Sequence, residues 1–303
     1  MAIDRISAEA LALLPRSGSA PRSILMLGRQ HLMLTASEWR VIAERSSRDL
    51  DPRLVDGLEM GGYAEPFLNW LGYERIESMD FSEYEGCSLI HDLNVAVPDA
   101  WFGRYDVVFD GGTLEHVFHF PNAITNAMQL VREGGYFVTC TASNNYNGHG
   151  FFQFSPELFF RIFEPVNGFR LHLLSLVEAT GNLSVYRLPD PQQVGHRVAF
   201  GGKGPLMMVV IAEKVATSAL FQTVPAQSDY AATWQKAAAV TESKDLQPRG
   251  GNFLAVFARR FLPETWLHRI RRYIAEKNRA RRKLRGIEKV GSLRDCLILF
   301  RPE

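Results

Sequence analysis

The stretch Tyr105–Thr141, YDVVFDGGTLEHVFHFPNAITNAMQLVREGGYFVTCT, decides the fold of this chain. A continuous apolar run, Tyr105–Phe109, ends in Asp110-Gly111-Gly112, and a helix-like segment then carries Leu114-Glu115-His116. A Gly134-Gly135 turn leads to a second apolar run, Tyr136–Thr141. Apolar strand, glycine-rich polar end, helix, turn and apolar strand describe a βαβ unit with both strands buried. Ligands of open α/β sheets bind at the carboxyl ends of the strands, which places Asp110 where chemistry is expected.

The same alternation continues on both sides. Upstream, Ser23–Leu27 (SILML) reads as the first core strand and ends at Gly28. Glu38–Arg45 has a helical pattern, Gly61-Gly62 breaks the chain, and a second helix is expected near Glu65–Leu71. Arg75–Met79 is the next strand, ending at Asp80; Leu89-Ile90-His91 is a third, ending at Asp92-Leu93-Asn94. Downstream, Ser155–Phe163 reads as a helix with a Ser N-cap and Pro at its first position. Leu171–Val177 and Leu206–Ala212, separated by a Gly/Pro-rich segment, fit an antiparallel pair at the sheet edge. The pattern predicts a doubly wound, mostly parallel seven-stranded α/β sheet over residues 23–215. A leader over 1–22 precedes it, and a helical, basic extension over 216–303 follows.

At 303 residues, with 46% hydrophobic and 22% charged residues, the chain has ordinary globular composition and ample core. A net charge of +1 gives no argument for nucleic acid. Cys87, Cys140 and Cys296 show no pairing or zinc-site spacing and suit a reducing compartment. The N-terminal apolar run is too short for a signal peptide. No uncharged apolar stretch approaches the ~20 residues that span a bilayer. A cytoplasmic protein is expected. In the extension, Ala231–Val240 is Ala-rich and helical, and Arg259–Arg285 holds eleven Lys/Arg against Glu264 and Glu276. Trp266, Ile270, Tyr273 and Ile274 recur there at helical spacing. Two readings stay open for this helix: an apolar stripe packed on the domain beneath a solvated basic face, or a peripheral contact with a membrane surface or polyanion.

The strand–LEHV–helix–GG–strand order resembles the second half of the class I (Rossmann-like) S-adenosylmethionine-dependent methyltransferases, and the resemblance covers roughly Ser23 to Glu213. It implies S-adenosylmethionine as cofactor and a small-molecule or glycan acceptor methylated on oxygen or nitrogen. On it, Asp80 takes the ribose hydroxyls, since a carboxylate accepts two donors at once, and Asp92 reads the adenine. Gly28, Arg29 and Gln30 take the methionine end, with Arg29 and Gln30 holding its carboxylate by side chain. Asp110 and Gly111 complete the cofactor side. The loop Thr141–Pro156, TASNNYNGHGFFQFSP, supplies the acceptor site with Asn145, Tyr146, His149 and Gln153. For a hydroxyl acceptor His149 is the general base by residue type and setting, with Asp110 as the alternative base or orienter. His116 and His119 are read as packing locally. A metal site from Asp110, Glu115, His116 and His119 is conceivable but not required by the spacing, and no metal is expected.

The chain departs from the family at Leu27-Gly28-Arg29-Gln30-His31, which has one glycine where these enzymes carry several. The Gly28–Asp80 segment is also longer than a typical strand–helix–strand unit. This departure keeps a second reading open, a non-catalytic methyltransferase-like binding protein. A nicotinamide-dependent oxidoreductase ranks last, because Leu27–Leu32 lacks GxGxxG.

Overall fold

The computed structural model describes residues 2–14, 21–56, 61–178, 183–198, 200, 202, 204–232, 234, 273 and 286–297. The chain forms two compact units. One comprises Met1–Arg187, Gly202–Pro225 and Glu288–Glu303, the other Leu188–Gly201 and Ala226–Ile287.

The first unit is built on a mixed sheet around β2 (Ser23–Leu27), all five of whose residues are buried. β2 lies between β4 (Arg75–Asp80) and β6 (Tyr105–Asp110), parallel to both. β5 (Leu89–Ile90) extends the sheet beyond β4, and β7 (Val131–Asn144) continues it parallel to β6. β2 is buried throughout and β6 at all but Asp106, which is why these two segments read as continuous apolar runs, whereas β4 and β5, towards the sheet edge, leave Arg75 and Ile90 exposed. β10 (Leu206–Lys214) lies between β7 and β8 (Phe169–Glu178), antiparallel to each.

Among the described residues the sheet has nine strands, not seven, and the antiparallel pair is not its edge. β9 (Ser184–Arg187) pairs with β8, and β11 (Glu288–Val290) pairs with β9. The full order is β11-β9-β8-β10-β7-β6-β2-β4-β5. Short strands of this kind shield the long β8 from open pairing.

The N-terminal residues also depart from the expected leader. Ala2–Ile3 (β1) pairs with His31–Leu32 (β3) in a small parallel sheet. Helix α1 (Arg5–Ala12) begins at Asp4, whose Oδ1 accepts Ser7 N–H at 2.9 Å. It buries Ile6, Ala8, Ala10 and Leu11 and packs against β7 and β10. The amphipathic spacing of ISAEALALL is the cause: a helix with an apolar face this size finds a core to join.

Helix α2 (Ala36–Ser46) opens with a capping box, Thr35 and Glu38 each bonding the other's backbone N–H. It carries Trp39, fully buried, against Phe67 and Trp70 of α4 (Glu65–Leu71), at centroid distances of 5.4 and 5.7 Å. After β6, Leu114–His116 is a single 3-10 turn, and helix α5 (Phe120–Leu130) follows. Gly134-Gly135 is a bulge at the start of β7: Tyr105 faces Val131 while Val107 faces Tyr136. A Cβ on Gly135 would stand 2.7 Å from the Asp106 carbonyl, so only glycine lets the two backbones approach here. Helix α6 (Pro156–Ile162) has Ser155 at its N-cap position, without a side-chain cap bond.

In the second unit, α7 (Pro191–Val194) is capped by Asp190, and Arg197 pairs with Asp229 at 2.5 Å. The basic helix expected over Arg259–Arg285 lies outside the described residues except for Tyr273, and the Ala-rich stretch 231–240 lies largely outside them. Among the described residues no helix is long and apolar enough to cross a membrane.

The α2–α4 contact should dominate local stability. Trp39→Ala is expected to cost about 3–5 kcal/mol in urea unfolding, and Thr35→Ala about 1 kcal/mol. A loss for Trp39→Ala no larger than that for Thr35→Ala would show that this aromatic cluster is not part of the cooperative core.

Candidate functional site

The carboxyl ends of β4 and β5 open onto a cleft of about 340 Å3 lined by Asp80, Phe81, His91, Asp92, Asn94, Thr113 and His116. Parallel strands bring their carboxyl ends to one edge of the sheet, where ligands of open α/β folds bind. Asp80 is half-buried at the last position of β4, one oxygen accepting Phe81 N–H at 2.6 Å. Asp92 follows β5, and its Oδ1 accepts the backbone and side-chain N–H groups of Asn94 at 2.9 and 2.7 Å. Those two bonds, the backbone one first, hold the Asp92 carboxyl below its ordinary range, so it is ionised at neutral pH. Asn94 in turn accepts His119 N–H, and buried Asn126 on α5 fixes the loop by bonding Leu93, Val95 and Val97 backbone. Asn126 was not singled out in the sequence; a lone Asn on an otherwise apolar helix face is the signal for it.

The turn after β2 is engaged with protein groups. Gly28 has φ +69° and donates its N–H to Met79 O at 2.7 Å. Arg29 binds Glu65 at 2.8 Å and the Glu85 carbonyl at 2.8 Å, and its guanidinium lies 3.5 Å from the Tyr63 ring centroid. Gln30 is fully buried, and its amide nitrogen bridges the Leu27 and Gly28 carbonyls. Among the described residues its Oε1 has no hydrogen-bond partner, and it lies against Gly111, where a Cβ would come within 2.5 Å of it. Glycine at 111 therefore admits the Gln30 side chain.

Next to this turn two carboxylates are buried together: Asp110 is 0% exposed and Glu115 is 1% exposed. Asp110 Oδ1 accepts Thr113 and Leu114 N–H at 2.8 and 3.2 Å, and Oδ2 accepts the Thr139 hydroxyl at 2.7 Å. Glu115 Oε2 accepts the Thr141 hydroxyl at 2.9 Å. Thr139 and Thr141 alternate on β7, so both hydroxyls face the same side, which is a sequence signal for this pair. Burial first, then the Glu115 charge, push Asp110 up to about 7, against the three donors that favour its anion. Burial likewise raises Glu115.

The loop after β7 closes over Glu115. The Glu115 carbonyl accepts Phe151 and Phe152 N–H at 2.8 and 3.1 Å, and Gly150, at φ +73°, fits only without a Cβ, which would come 2.8 Å from that oxygen. This clamp brings exposed His149 Nε2 to 3.7 Å from Glu115 Oε1 and its ring to 5.0 Å from that of His116. Burial, then His149, lowers the His116 value, so His116 is neutral at pH 7. Tyr146 sits 5.7 Å from the His149 ring, and burial raises its phenol, with Asp4 of the N-terminal segment adding to the effect. Asn145 instead donates to the Gly202 and Gly204 carbonyls, and Gln153 accepts Tyr146 N–H at 2.8 Å.

The structure thus gathers Asp80 and Asp92 on one cleft and Asp110, Tyr146 and His149 around Glu115 and His116. It sets Arg29, Gln30, Asn145 and Gln153 in contacts that hold the chain itself.

No family model matches the sequence, and no curated protein matches it. Solved structures do. The branched-chain polyamine synthase of Thermus thermophilus is 14% identical over 68% of this chain and 54% of its own, with a TM-score of 0.34. The trans-methyltransferase CalH, solved with S-adenosylhomocysteine, is 13% identical over 69% of this chain and 55% of its own, with a TM-score of 0.36. The 1,6-didemethyltoxoflavin-N1-methyltransferase of Burkholderia thailandensis is 15% identical over 70% of this chain and 80% of its own, with a TM-score of 0.38. The chain spans about half the length of the first two. Likeness at this identity and TM-score assigns neither family nor activity.

The raised Asp110 value has a consequence for stability. A carboxyl whose folded value lies above its ordinary 3.8 stabilises the fold fully below pH ~4, and this contribution is lost as pH rises through ~7. Asp110→Asn removes the titration and keeps the shape, with the Thr139 hydroxyl free to rotate. The melting temperature of the parent should fall between about pH 4 and 7 relative to this variant. Parallel pH profiles for the two proteins would contradict the buried-acid assignment.

Proposed function

We propose that this chain is an S-adenosylmethionine-dependent methyltransferase acting on a small-molecule or glycan acceptor. The observation that carries the reading is the cleft at the ends of β4 and β5, whose volume of about 340 Å3 lies within the range of small-ligand sites. Two carboxylates at successive strand ends line it, and the clamped His149–Glu115 cluster lies beside it. The residues fit an adenosyl group. Asp80 presents a half-buried carboxylate to a pair of ribose hydroxyls. Asp92, held ionised by Asn94, presents the acceptor that an adenine amine needs.

When bound, S-adenosylmethionine supplies a methyl group made electrophilic by its sulfonium. The chain's own part is to position and to move a proton. Tyr146 and the exposed Phe151 give the acceptor a partly apolar seat. His149, with Nε2 3.7 Å from Glu115 Oε1, is the imidazole placed to take a hydroxyl proton. Asp110, held by Thr113, Leu114 and Thr139, shapes the strand end. Positioning carries most of the rate in such an in-line displacement.

A second reading, a methyltransferase-like protein that binds without turnover, is favoured by one observation: Arg29 and Gln30 are committed to Glu65, Glu85, Leu27 and Gly28 rather than left for a methionine carboxylate.

Isothermal titration with S-adenosylmethionine and S-adenosylhomocysteine tests the proposal. Saturable one-to-one binding of both is expected, with Asp80→Ala weakening it by about 1–3 kcal/mol through loss of a charged acceptor. No binding of either ligand would contradict the proposal. Unchanged affinity in Asp80→Ala would remove Asp80 from the site.

A further inference from the structure

Glu115, His116 and His149 each offer one ligand atom, and these atoms lie within 4.8 Å of one another. We infer that the three form a site for a divalent first-row transition cation of the zinc class, open on its solvent side. The inference rests on the reading above only in placing the cation beside the acceptor seat; cation binding itself is independent of the cofactor.

The set is not a chance surface cluster. Glu115 comes from the 3-10 turn after β6 and is buried, while His149 comes from a loop more than thirty residues later in the chain. The two segments are fixed together by the bonds from Phe151 and Phe152 N–H to the Glu115 carbonyl, with Gly150 allowing the close approach. Thr141 holds Glu115 Oε2, which leaves Oε1 directed at His149 Nε2, 3.7 Å away. A second-sphere hydroxyl that orients a ligating carboxylate is the usual companion of a metal site.

Donor type selects the cation. Two imidazoles and one carboxylate suit Zn2+, Co2+ or Mn2+, whereas Mg2+ and Ca2+ prefer oxygen sets. Ligands bound at ~2.0–2.2 Å sit closer together than the present spread, and both imidazoles are exposed and close the gap by side-chain rotation. Three protein ligands leave at least one position open. The aromatic side chains nearby are Tyr146, 5.7 Å from the His149 ring, and Phe151, two residues after His149, whose ring stands 5.9 Å from that of Phe118. An acceptor presenting hydroxyl oxygens to the cation and a flat or C–H-rich face to the rings fits this arrangement, as a sugar or a phenol does. On this assignment His149 orients the acceptor through the cation and is not itself the base.

The test uses the full chain without a polyhistidine tag and without cofactor. Co2+ is titrated in while its visible d–d bands are followed, and Zn2+ is then used to displace it. One equivalent of Co2+ in a tetrahedral or five-coordinate spectrum is expected. His116→Ala and His149→Ala, both at exposed positions and checked by circular dichroism for intact folding, should each weaken binding at least tenfold. His119→Ala, outside the set, should not. Absence of Co2+ and Zn2+ binding would overturn the inference, as would affinity unchanged in both His116→Ala and His149→Ala. Because the readout contains no cofactor, its failure leaves the methyltransferase reading standing, and failure of that reading leaves this result intact.

Discussion

Two carboxylates buried side by side at the end of the central strands constrain the rest of this structure. Burying an unpaired carboxylate costs several kcal/mol unless donors or protons compensate. Here the compensation is distributed. Asp110 draws in Thr113, Leu114 and Thr139, and Glu115 draws in Thr141. These bonds fasten β6, the 3-10 turn and β7 into one rigid strand-end platform. Thr113 also ties that platform to β2 through the Leu27 carbonyl at 2.6 Å. The loop carrying His149 is then laid across the platform by the Glu115 carbonyl. The geometry of the cleft therefore follows from satisfying two buried acids.

This platform explains why the site and the core cannot be separated. Gly111, Gly135 and Gly150 each sit where a Cβ would strike a neighbour's polar atom, so one glycine in each of the Asp-Gly-Gly, Gly-Gly and Gly-His-Gly segments serves close packing. The N-terminal helix joins the same assembly: it packs against β7 and β10, and Asp4 at its start bears on the Tyr146 phenol.

Most of the parallel half of the sheet was legible in the sequence. SILML and YDVVFD are apolar runs whose burial on both faces leaves a local signature, while RIESMD is marked by its end at Asp80. The helix at Glu65–Leu71 was readable from the Gly61-Gly62 break before it, and it ends at Gly72, φ +100°. What escaped depends on distant partners. β9 and β11 are four and three residues long and meet across a separation of about one hundred residues, so neither carries a pattern of its own. The N-terminal helix was hidden by the Pro, Ser and Gly residues that follow it, which made residues 1–22 read as a leader. Asp80 and Asp92 were legible as strand-end residues, and both line the cleft at the ends of β4 and β5. Arg29 and Gln30 were not, because their contacts with Glu65, Glu85, Leu27 and Gly28 bridge segments that only the fold brings together. His116 read as a locally packed helix-start residue, and only the clamp on Glu115 brings His149 beside it.

The central claim is that the cleft between the ends of β4 and β5 is an adenosyl site. A crystal structure of the protein soaked with S-adenosylhomocysteine tests it most directly. The account predicts ribose hydroxyls bonded to the Asp80 carboxylate and the adenine amine within reach of Asp92. Density for the ligand elsewhere, or a cleft without ligand at saturating concentration, would contradict it.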